Sequence, residues 1–238
     1  MHPYYKKKQS DLKKEMSGYL SLISQELEKK TGRPYSQLFE EIWQYYRDEL
    51  LENFPFIGGD GISGTKNLTG AYCYVAMGVV CRRYNVTLEE WGWLTTLSYQ
   101  RFFSKIPAFA KNLAGWAMRH PRLITAALKK KDAQNAANAA RNPGSFETKV
   151  QLPTEQFPVI YHTTVCPLAN FANQYGYQEY MPYLCNLDYV MLSAFNVPFY
   201  RDKTCAAGDG FCNFCLKPGG DVVPAWPCHG LDEDDPLK

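Results

Sequence analysis

The sequence predicts an α+β fold, in which N-terminal helices pack on a small antiparallel sheet that has further helices inserted in it. Apolar residues recur at helical spacing through residues 1–132, and alternating and β-branched patterns replace them after Phe146. We therefore expect a helical region over 1–132 and an α+β core over 146–217, which together form one compact unit. A Pro-rich, acidic tail follows over 218–238.

The helical region divides at recognisable start and stop signals. A first helix over 9–30 ends at Gly32, and Ser36 is the expected N-cap of the second. The mostly apolar run over 67–84 predicts a central helix. Thr87, followed by two glutamates, is typical of the start of the next helix.

The second part of the helical region is less regular. The span 106–128 is amphipathic and cationic, which would also suit a helix on a membrane surface, and His120-Pro121 divides it into two shorter helices. The Ala- and Asn-rich stretch over 133–143 predicts a connector or hinge. After it we expect four antiparallel strands near 146–150, 158–165, 196–204 and 211–216.

Two local signals mark the strand-rich part. Pro167 suits the first turn of a helix, so Cys166 is expected at a strand-to-helix junction. Gly208-Asp209-Gly210 predicts a tight hairpin turn, because glycine adopts positive φ without steric cost.

Composition narrows the classes of function. The 26 Lys and Arg residues and 24 Asp and Glu residues give a net charge of +2, which argues against nucleic acid as a partner. The first residues lack the apolar segment of a signal peptide, and no apolar run is long enough to span a membrane. We therefore expect a cytoplasmic protein that acts on a small molecule without a membrane partner, and its homo-oligomeric state is left open.

The eight cysteines are expected to be reduced in such a chain. Cys73 and Cys81 fall within the apolar helix, where packing explains them. Three more lie within the eleven residues from Cys205 to Cys215. Cys166 and Cys185 precede these three, so the second half of the chain concentrates its thiols.

Three motifs in this half resemble the L-2-amino-thiazoline-4-carboxylic acid hydrolase family, most strongly over about residues 155–217. They are Thr164-Val165-Cys166-Pro167-Leu168, Pro182-x-x-Cys185-x-x-Asp188, and Arg201-x-x-Thr204-x-x-x-Gly208-Asp209-x-x-Cys212-x-Phe214. The resemblance implies a hydrolase that opens a cyclic isothiourea ring and yields N-carbamoyl-cysteine. It also implies that Cys166, Cys185 and Asp188 lie in the site, whereas Cys215 and Cys228-His229 look particular to this chain.

The implied reaction requires a nucleophile at the amidine-like carbon, and a cysteine thiolate suits that step. Cys166 is the expected nucleophile, because a helix N-terminus lowers the pKa of a thiol. His162, four residues earlier, could share a sheet face with it and act as base. Cys185 is the alternative nucleophile, and Asp188 lies on the same helix face, where it could bind the amidine or manage protons.

Arg201 is the expected clamp for the substrate carboxylate, because its guanidinium binds carboxylates through two hydrogen bonds. The expected substrate-binding set also contains Thr204, Cys205, Asp209 and Cys212, with Cys205 and Cys212 close together. Simpler interpretations stand beside these: the cysteines and His162 could be structural, Arg201 could pair with a nearby aspartate, and Asp209 could bond its own backbone.

The sequence is also compatible with two other classes of function, a zinc-containing hydrolase and a non-enzymatic binding protein. Cys212-x-x-Cys215 with Cys205 and one further ligand, drawn from Cys166, Cys185, Cys228 or His229, could hold zinc, although one Cys-x-x-Cys is a weak signal. The aromatic residues, including 17 Tyr and 5 Trp, would also suit a pocket of a non-enzymatic binding protein or sensor. The hydrolase interpretation requires no cofactor.

Overall fold

The computed structural model describes residues 1–229, and it confirms the α+β class. The chain forms two compact units, Met1–Phe102 and a second that begins at Phe103. The sheet lies entirely in the second unit, together with the two helices that precede it.

The first unit is helical. Its helices are α1 (Pro3–Leu20), α2 (Ser24–Thr31), α3 (Tyr35–Tyr45), α4 (Ser63–Arg82) and α5 (Leu88–Ser104), whose last residues enter the second unit. α4 is the central helix predicted from its apolar run, since most of its residues are buried. A π-helical turn over Tyr46–Leu51 extends α3.

Helix ends in this unit follow the sequence signals in part. Gly32 ends α2 with a φ of 66°, a conformation that glycine adopts readily. Thr87 and Glu90 form the predicted capping box, in which each side chain accepts the other's backbone N–H. The N-cap expected at Ser36 is wrong, because Pro34 occupies that position and Ser36 lies inside α3.

In the second unit, two helices precede the strands of the sheet and two more are inserted between its second and third strands. α6 (Ala108–Met118) and α7 (Pro121–Ala139) come first, and the break between them at His120-Pro121 is confirmed. Strands β1 (Glu147–Val150) and β2 (Val159–Val165) follow, and then helices α8 (Pro167–Tyr175) and α9 (Met181–Ala194). Strands β3 (Phe199–Tyr200) and β4 (Cys212–Leu216) complete the described elements.

The prediction of a connector or hinge over 133–143 is wrong, because α7 continues through Ala139. Side chains of α7 hold it against β1. Asp132 accepts hydrogen bonds from the backbone N–H of Val150 at 2.7 Å and from the hydroxyl of Thr148 at 2.8 Å, and Asn135 donates to that hydroxyl. These bonds also occupy the edge of β1, which would otherwise expose an unpaired N–H group.

The sheet is antiparallel with the strand order β1-β2-β4-β3. Alternation divides its side chains between two faces. One, which we term the inner face, carries Thr148, Tyr161, Thr163, Cys212, Phe214 and Phe199, as the register of the pairs requires. α9 packs on this face, since the ring of Tyr189 lies 4.6 Å from that of Phe199.

A β-bulge interrupts the register at the end of β2. Glu147 pairs with Val165 while its neighbour Thr148 pairs with Thr163, so Thr164 is the extra residue. Val165 therefore lies on the outer side of the sheet with Glu147. Because sides alternate, Cys166 returns to the inner side, where an unbroken strand would not have placed it.

The tight hairpin predicted at Gly208-Asp209-Gly210 is replaced by a longer loop. β3 and β4 do pair antiparallel, through Phe199 with Leu216 and Tyr200 with Cys215. The connection between them contains a 3₁₀ turn over Cys205–Ala207, and Gly208 follows it with a φ of 91°. The loop folds back over the sheet rather than reversing in two residues.

All eight cysteines are free thiols, and none is paired in a disulfide. Over residues 1–229, no helix is both long enough and apolar enough to cross a membrane.

Candidate active site

Four thiols meet at the inner face of the sheet, and we term Cys166, Cys185, Cys205 and Cys212 the thiol cluster. Each is close enough to another member that its charge would alter that member's pKa. They come from separate elements: the start of α8, the middle of α9, the loop after β3, and β4. Cys212 is buried, whereas the other three are partly exposed, so solvent reaches the cluster.

Cys166 is the N-cap of α8, as the sequence predicts, and Pro167 is the first helical residue. The expected lowering of its pKa is wrong. Burial raises the pKa of the Cys166 thiol to about 12, and the backbone N–H groups of Ala169 and Leu168 oppose this only in part. Desolvation of the thiolate thus outweighs the amides at the start of the helix.

Cys205 and Cys212 lie together, as predicted, and they differ in ionisation. The backbone N–H of Cys205 donates to the sulfur of Cys212 at 3.2 Å, and the two thiols lie beside each other. The neighbouring thiol and the backbone N–H of Cys205, with a further contribution from Arg201, lower the pKa of Cys212, although burial opposes the shift. The pKa of Cys205 is raised, chiefly by its hydrogen bond to Cys212.

This direction of the shift follows from the donors. An amide N–H can only donate, so a negative charge is stabilised on the sulfur that receives it, which is that of Cys212. The Sγ of Cys205 lies 3.4 Å from the carbonyl oxygen of Thr163, an acceptor that favours its protonated form. These contacts favour ionisation of Cys212 over ionisation of Cys205.

Arg201 is buried, and it is held on three sides. It donates to Asp188 Oδ2 at 2.7 Å and to the carbonyl of Cys185 at 2.6 Å. Its guanidinium carbon also lies 5.3 to 5.6 Å from the ring centres of Tyr189, Phe199 and Phe214. Arg201 thus joins α9 to the sheet and brings a fixed positive charge beside Cys212.

Cys185 and Asp188 share one side of α9, as their spacing predicts, because the thiol of Cys185 and the carboxylate of Asp188 both lie near Arg201. Burial raises the pKa of the Cys185 thiol, while the charge of Arg201 opposes the increase. The side chain of Asp188 is 35% exposed, so one carboxylate pairs with Arg201 and still faces solvent.

The structure does not bring His162 to the thiol cluster. His162 lies in β2 between the inward-facing Tyr161 and Thr163, so it projects from the outer face. Its ring stacks on Phe211 at 4.4 Å. Burial and the nearby charge of Lys203 lower its pKa. The bulge accounts for the difference from expectation, because it moves Cys166 but not His162 to the inner side.

Thr204 and Asp209 brace the loop that carries Cys205. The backbone N–H of Thr204 donates to Asp209 Oδ2 at 2.8 Å, and the hydroxyl of Thr204 accepts the N–H of Ala207 at 3.1 Å. These bonds close the turn, which is the simpler interpretation that the sequence allowed for Asp209.

Cys212 and Cys215 do not form half of a zinc site. They are three positions apart on one strand, so they lie on opposite faces of the sheet. Within residues 1–229, no three His, Cys, Asp or Glu side chains come together in a way that could hold a metal ion.

Two residues that border the thiol cluster, Lys131 and Tyr161, were not predicted from the sequence as part of the site. The Nζ of Lys131 lies 5.8 Å from the ring centre of Tyr161. Lys131 is exposed as a whole residue, but desolvation of its ammonium group lowers the pKa of that group, and Asp188 and Asp132 oppose the shift. Its place in a run of three lysines concealed it, because such runs usually mark a solvated helix face.

All four cysteines of the thiol cluster lie in one part of the sequence, between residues 166 and 212. Residues 104–216 match the family of L-2-amino-thiazoline-4-carboxylic acid hydrolases. The resemblance inferred from the three motifs is thereby confirmed, and the match includes the whole thiol cluster, Arg201, Asp188 and Lys131. No curated protein and no solved structure matches the chain.

Proposed function

We propose that this protein is a hydrolase that opens the ring of a 2-amino-thiazoline-4-carboxylate-like substrate, with Cys212 as the nucleophile. The family match over residues 104–216 supports the class of reaction. The observation that carries the assignment of the nucleophile is the hydrogen bond from the backbone N–H of Cys205 to the sulfur of Cys212 at 3.2 Å, which, with the neighbouring thiol of Cys205, favours the thiolate form of Cys212. A thiolate is the reactive form of cysteine.

The proposed reaction takes two steps. The sulfur of Cys212 forms a bond to the ring carbon that carries the amino group, and the bond from that carbon to the ring sulfur breaks. The departing sulfur takes a proton, and an isothiouronium adduct remains on Cys212. Water then adds to the same carbon and the bond to Cys212 breaks, which yields the N-carbamoyl product and regenerates the thiolate.

Cys205 is the proposed source of the proton for the departing sulfur. Its raised pKa keeps it protonated while Cys212 is ionised, and its position beside Cys212 places it near the carbon under attack. Two neighbouring groups with opposed pKa shifts are a common arrangement for acid and nucleophile. Cys205 can recover its proton from the attacking water in the second step.

Charged groups around the cluster suit the two ends of the substrate. The half-exposed carboxylate of Asp188 can bind the positively charged amidine-like group. Arg201 uses two of its N–H groups to bind Asp188 and the carbonyl of Cys185, both in α9. We therefore assign Arg201 a positioning role rather than the role of carboxylate clamp. Lys131, at the rim near Tyr161 and Asp188, is the proposed partner of the substrate carboxylate.

Cys166 is a second candidate for the nucleophile, because it is partly exposed and the first amides of α8 lie beside its sulfur. The two assignments differ in one measurement. Incubation of the protein with 2-amino-thiazoline-4-carboxylate, acid quenching and peptide mass spectrometry would locate the adduct. We expect it on Cys212.

Substitution tests the same assignment. Cys212→Ser should lower kcat by at least about a hundredfold, since a hydroxyl is a poor nucleophile at neutral pH. Cys215→Ser, three residues later on the opposite face, is the matched control and should retain turnover. An adduct on Cys166 would transfer the role to that residue, and full activity of both Cys212→Ser and Cys166→Ser would exclude covalent catalysis by either. No turnover of any cyclic isothiourea by the wild type would overturn the proposed function.

A further inference from the structure

Helix α6 exposes an apolar stripe away from the thiol cluster. Phe109, Leu113 and Trp116 recur at intervals of four and three residues, so they lie along one side of the helix. Their side chains are 75%, 65% and 49% exposed. Leu123, in the first turn of α7, is also about half exposed at 48%. Four large apolar side chains in so short a segment are not the scattered exposure of an ordinary surface.

A different side of α6 is fixed to the protein. A Cβ atom at Gly115 would lie 2.0 Å from the carbonyl oxygen of Phe195, so the helix approaches the end of α9 as closely as glycine permits. Arg119, just after α6, donates to the carbonyl of Asn196 at 2.6 Å. The stripe therefore belongs to a helix of fixed orientation, with its apolar residues turned outward.

The segment around the stripe is strongly basic. Between residues 105 and 131 the sequence contains no Asp or Glu, although the whole chain is nearly neutral. Besides Arg119 and Lys131, which have the contacts given above, the segment carries Lys105, Lys111, Arg122, Lys129 and Lys130. We define the basic amphipathic surface as the apolar stripe, Leu123 and these five cations.

We propose that the basic amphipathic surface binds an anionic lipid membrane, with α6 lying in the plane of the interface. Trp, Phe and Leu on one side of a helix and Lys and Arg around it are the features that such helices share. A second copy of this chain fits less well, because it would bring two groups of like charges together. Binding of this kind does not need a membrane-spanning helix, and the proposal departs from the sequence-based expectation of no membrane partner.

Vesicle sedimentation tests the proposal on the full chain. We expect the protein to sediment with vesicles of phosphatidylcholine mixed with phosphatidylserine, to bind vesicles of phosphatidylcholine alone at least about tenfold more weakly, and to be released by high salt. Lys129→Glu with Lys130→Glu should weaken binding to the mixed vesicles by about tenfold or more. The control pair Lys6→Glu and Lys7→Glu, on the exposed side of α1, should change binding by less than about threefold.

The apolar part of the surface has its own test. Brominated lipid chains should quench the fluorescence of Trp116, and Trp116→Phe should abolish that part of the quenching while binding persists. Phe109→Ser with Leu113→Ser should reduce binding, whereas Leu152→Ser, an exposed leucine outside the surface, should not. Failure of the wild type to bind mixed vesicles would overturn the proposal. The proposal would also be overturned if none of the surface variants reduced binding. It would be overturned equally if the protein self-associated without lipid and Phe109→Ser with Leu113→Ser abolished that self-association.

Discussion

The backbone N–H of Cys205 donates to the sulfur of Cys212 across 3.2 Å, and the thiol of Cys205 lies beside the same sulfur. The 3₁₀ turn after Thr204 creates this arrangement, because it turns the amide of Cys205 toward β4. One residue thereby places both a fixed donor and a second thiol beside Cys212. The charge of Arg201 acts on the same sulfur from the side of α9.

We expect Cys212 to react with iodoacetamide at lower pH than an ordinary thiol. Only the thiolate reacts, and the pKa of Cys212 is lowered by its contacts with Cys205, so the rate should rise with pH at lower values than for an ordinary thiol. An unperturbed thiol would show the same rise near about 8.5. Peptide mass spectrometry across a pH series would give the profile.

Substitution of the donor should move this profile. Cys205→Ala removes the thiol but keeps the backbone N–H, so the pKa of Cys212 should rise while some of the shift remains. Cys215→Ala, on the outer face, should leave the profile unchanged. A midpoint for wild-type Cys212 at or above 8.5 would contradict the proposed thiolate.

Arg201→Met should destabilise the second unit by about 3 kcal/mol, because it leaves Asp188 and the carbonyl of Cys185 without their buried donor. Adding Asp188→Asn should recover part of the loss, since the unpaired charge disappears. Arg101→Met is the matched control. Arg101 is 41% exposed, against 5% for Arg201, so loss of its two bonds to Glu26 and its bond to the Leu22 carbonyl should cost about 1 kcal/mol or less. Urea denaturation of the four proteins would compare them, and equal losses for Arg201→Met and Arg101→Met would contradict the buried role.

Much of this architecture could be predicted from the sequence, because the signals are local. Helical spacing predicted α3 to α6, although it merged α1 and α2 into one helix that a 3₁₀ turn over Ser21–Ile23 divides. The Thr87–Glu90 capping box was recognisable, and Cys166-Pro167 placed a strand-to-helix junction correctly. Each depends on residues within one turn or one strand of each other.

The errors arose where distant residues decide the outcome. The polar stretch after residue 132 is helical because Asp132 and Asn135 bond to β1, a partner that local propensity cannot reveal. The bulge at Thr164 moved Cys166 away from the side of His162, and one extra residue is enough to exchange faces. The pKa of Cys166 depended on burial, which the sequence of a helix start does not contain.

Gly115→Ala should destabilise the second unit by about 1 to 3 kcal/mol, since the added methyl group would meet the carbonyl oxygen of Phe195 and force α6 outward. Gly18→Ala is the matched control, because Gly18 is exposed in α1 and nothing lies within 4 Å of its added Cβ. That change should stabilise by about 0.5 to 1 kcal/mol, as alanine is the better helix former. Thermal denaturation would compare both variants with the wild type. Stabilisation by Gly115→Ala would show that α6 does not depend on this close approach.

Lys131→Met should raise KM for 2-amino-thiazoline-4-carboxylate by about tenfold and change kcat little. The ammonium of Lys131 lies at the rim of the cluster, where it can meet the substrate carboxylate but not the carbon under attack. A lost binding interaction of equal strength in ground and transition states appears in KM alone. The proposed interaction requires the charged form of Lys131, whose pKa is lowered. KM should therefore rise as the pH increases and the ammonium group loses its proton.

A substrate that lacks the carboxylate separates this role from a structural one. With 2-amino-thiazoline itself, Lys131→Met and the wild type should show the same kcat/KM, because the group that Lys131 binds is absent. Lys130→Met, the adjacent residue in the exposed lysine run, is the matched control and should behave as the wild type with both substrates. If Lys131→Met impaired both substrates equally, the carboxylate would have another partner, and Lys131 would act by supporting Asp188 or Tyr161 instead.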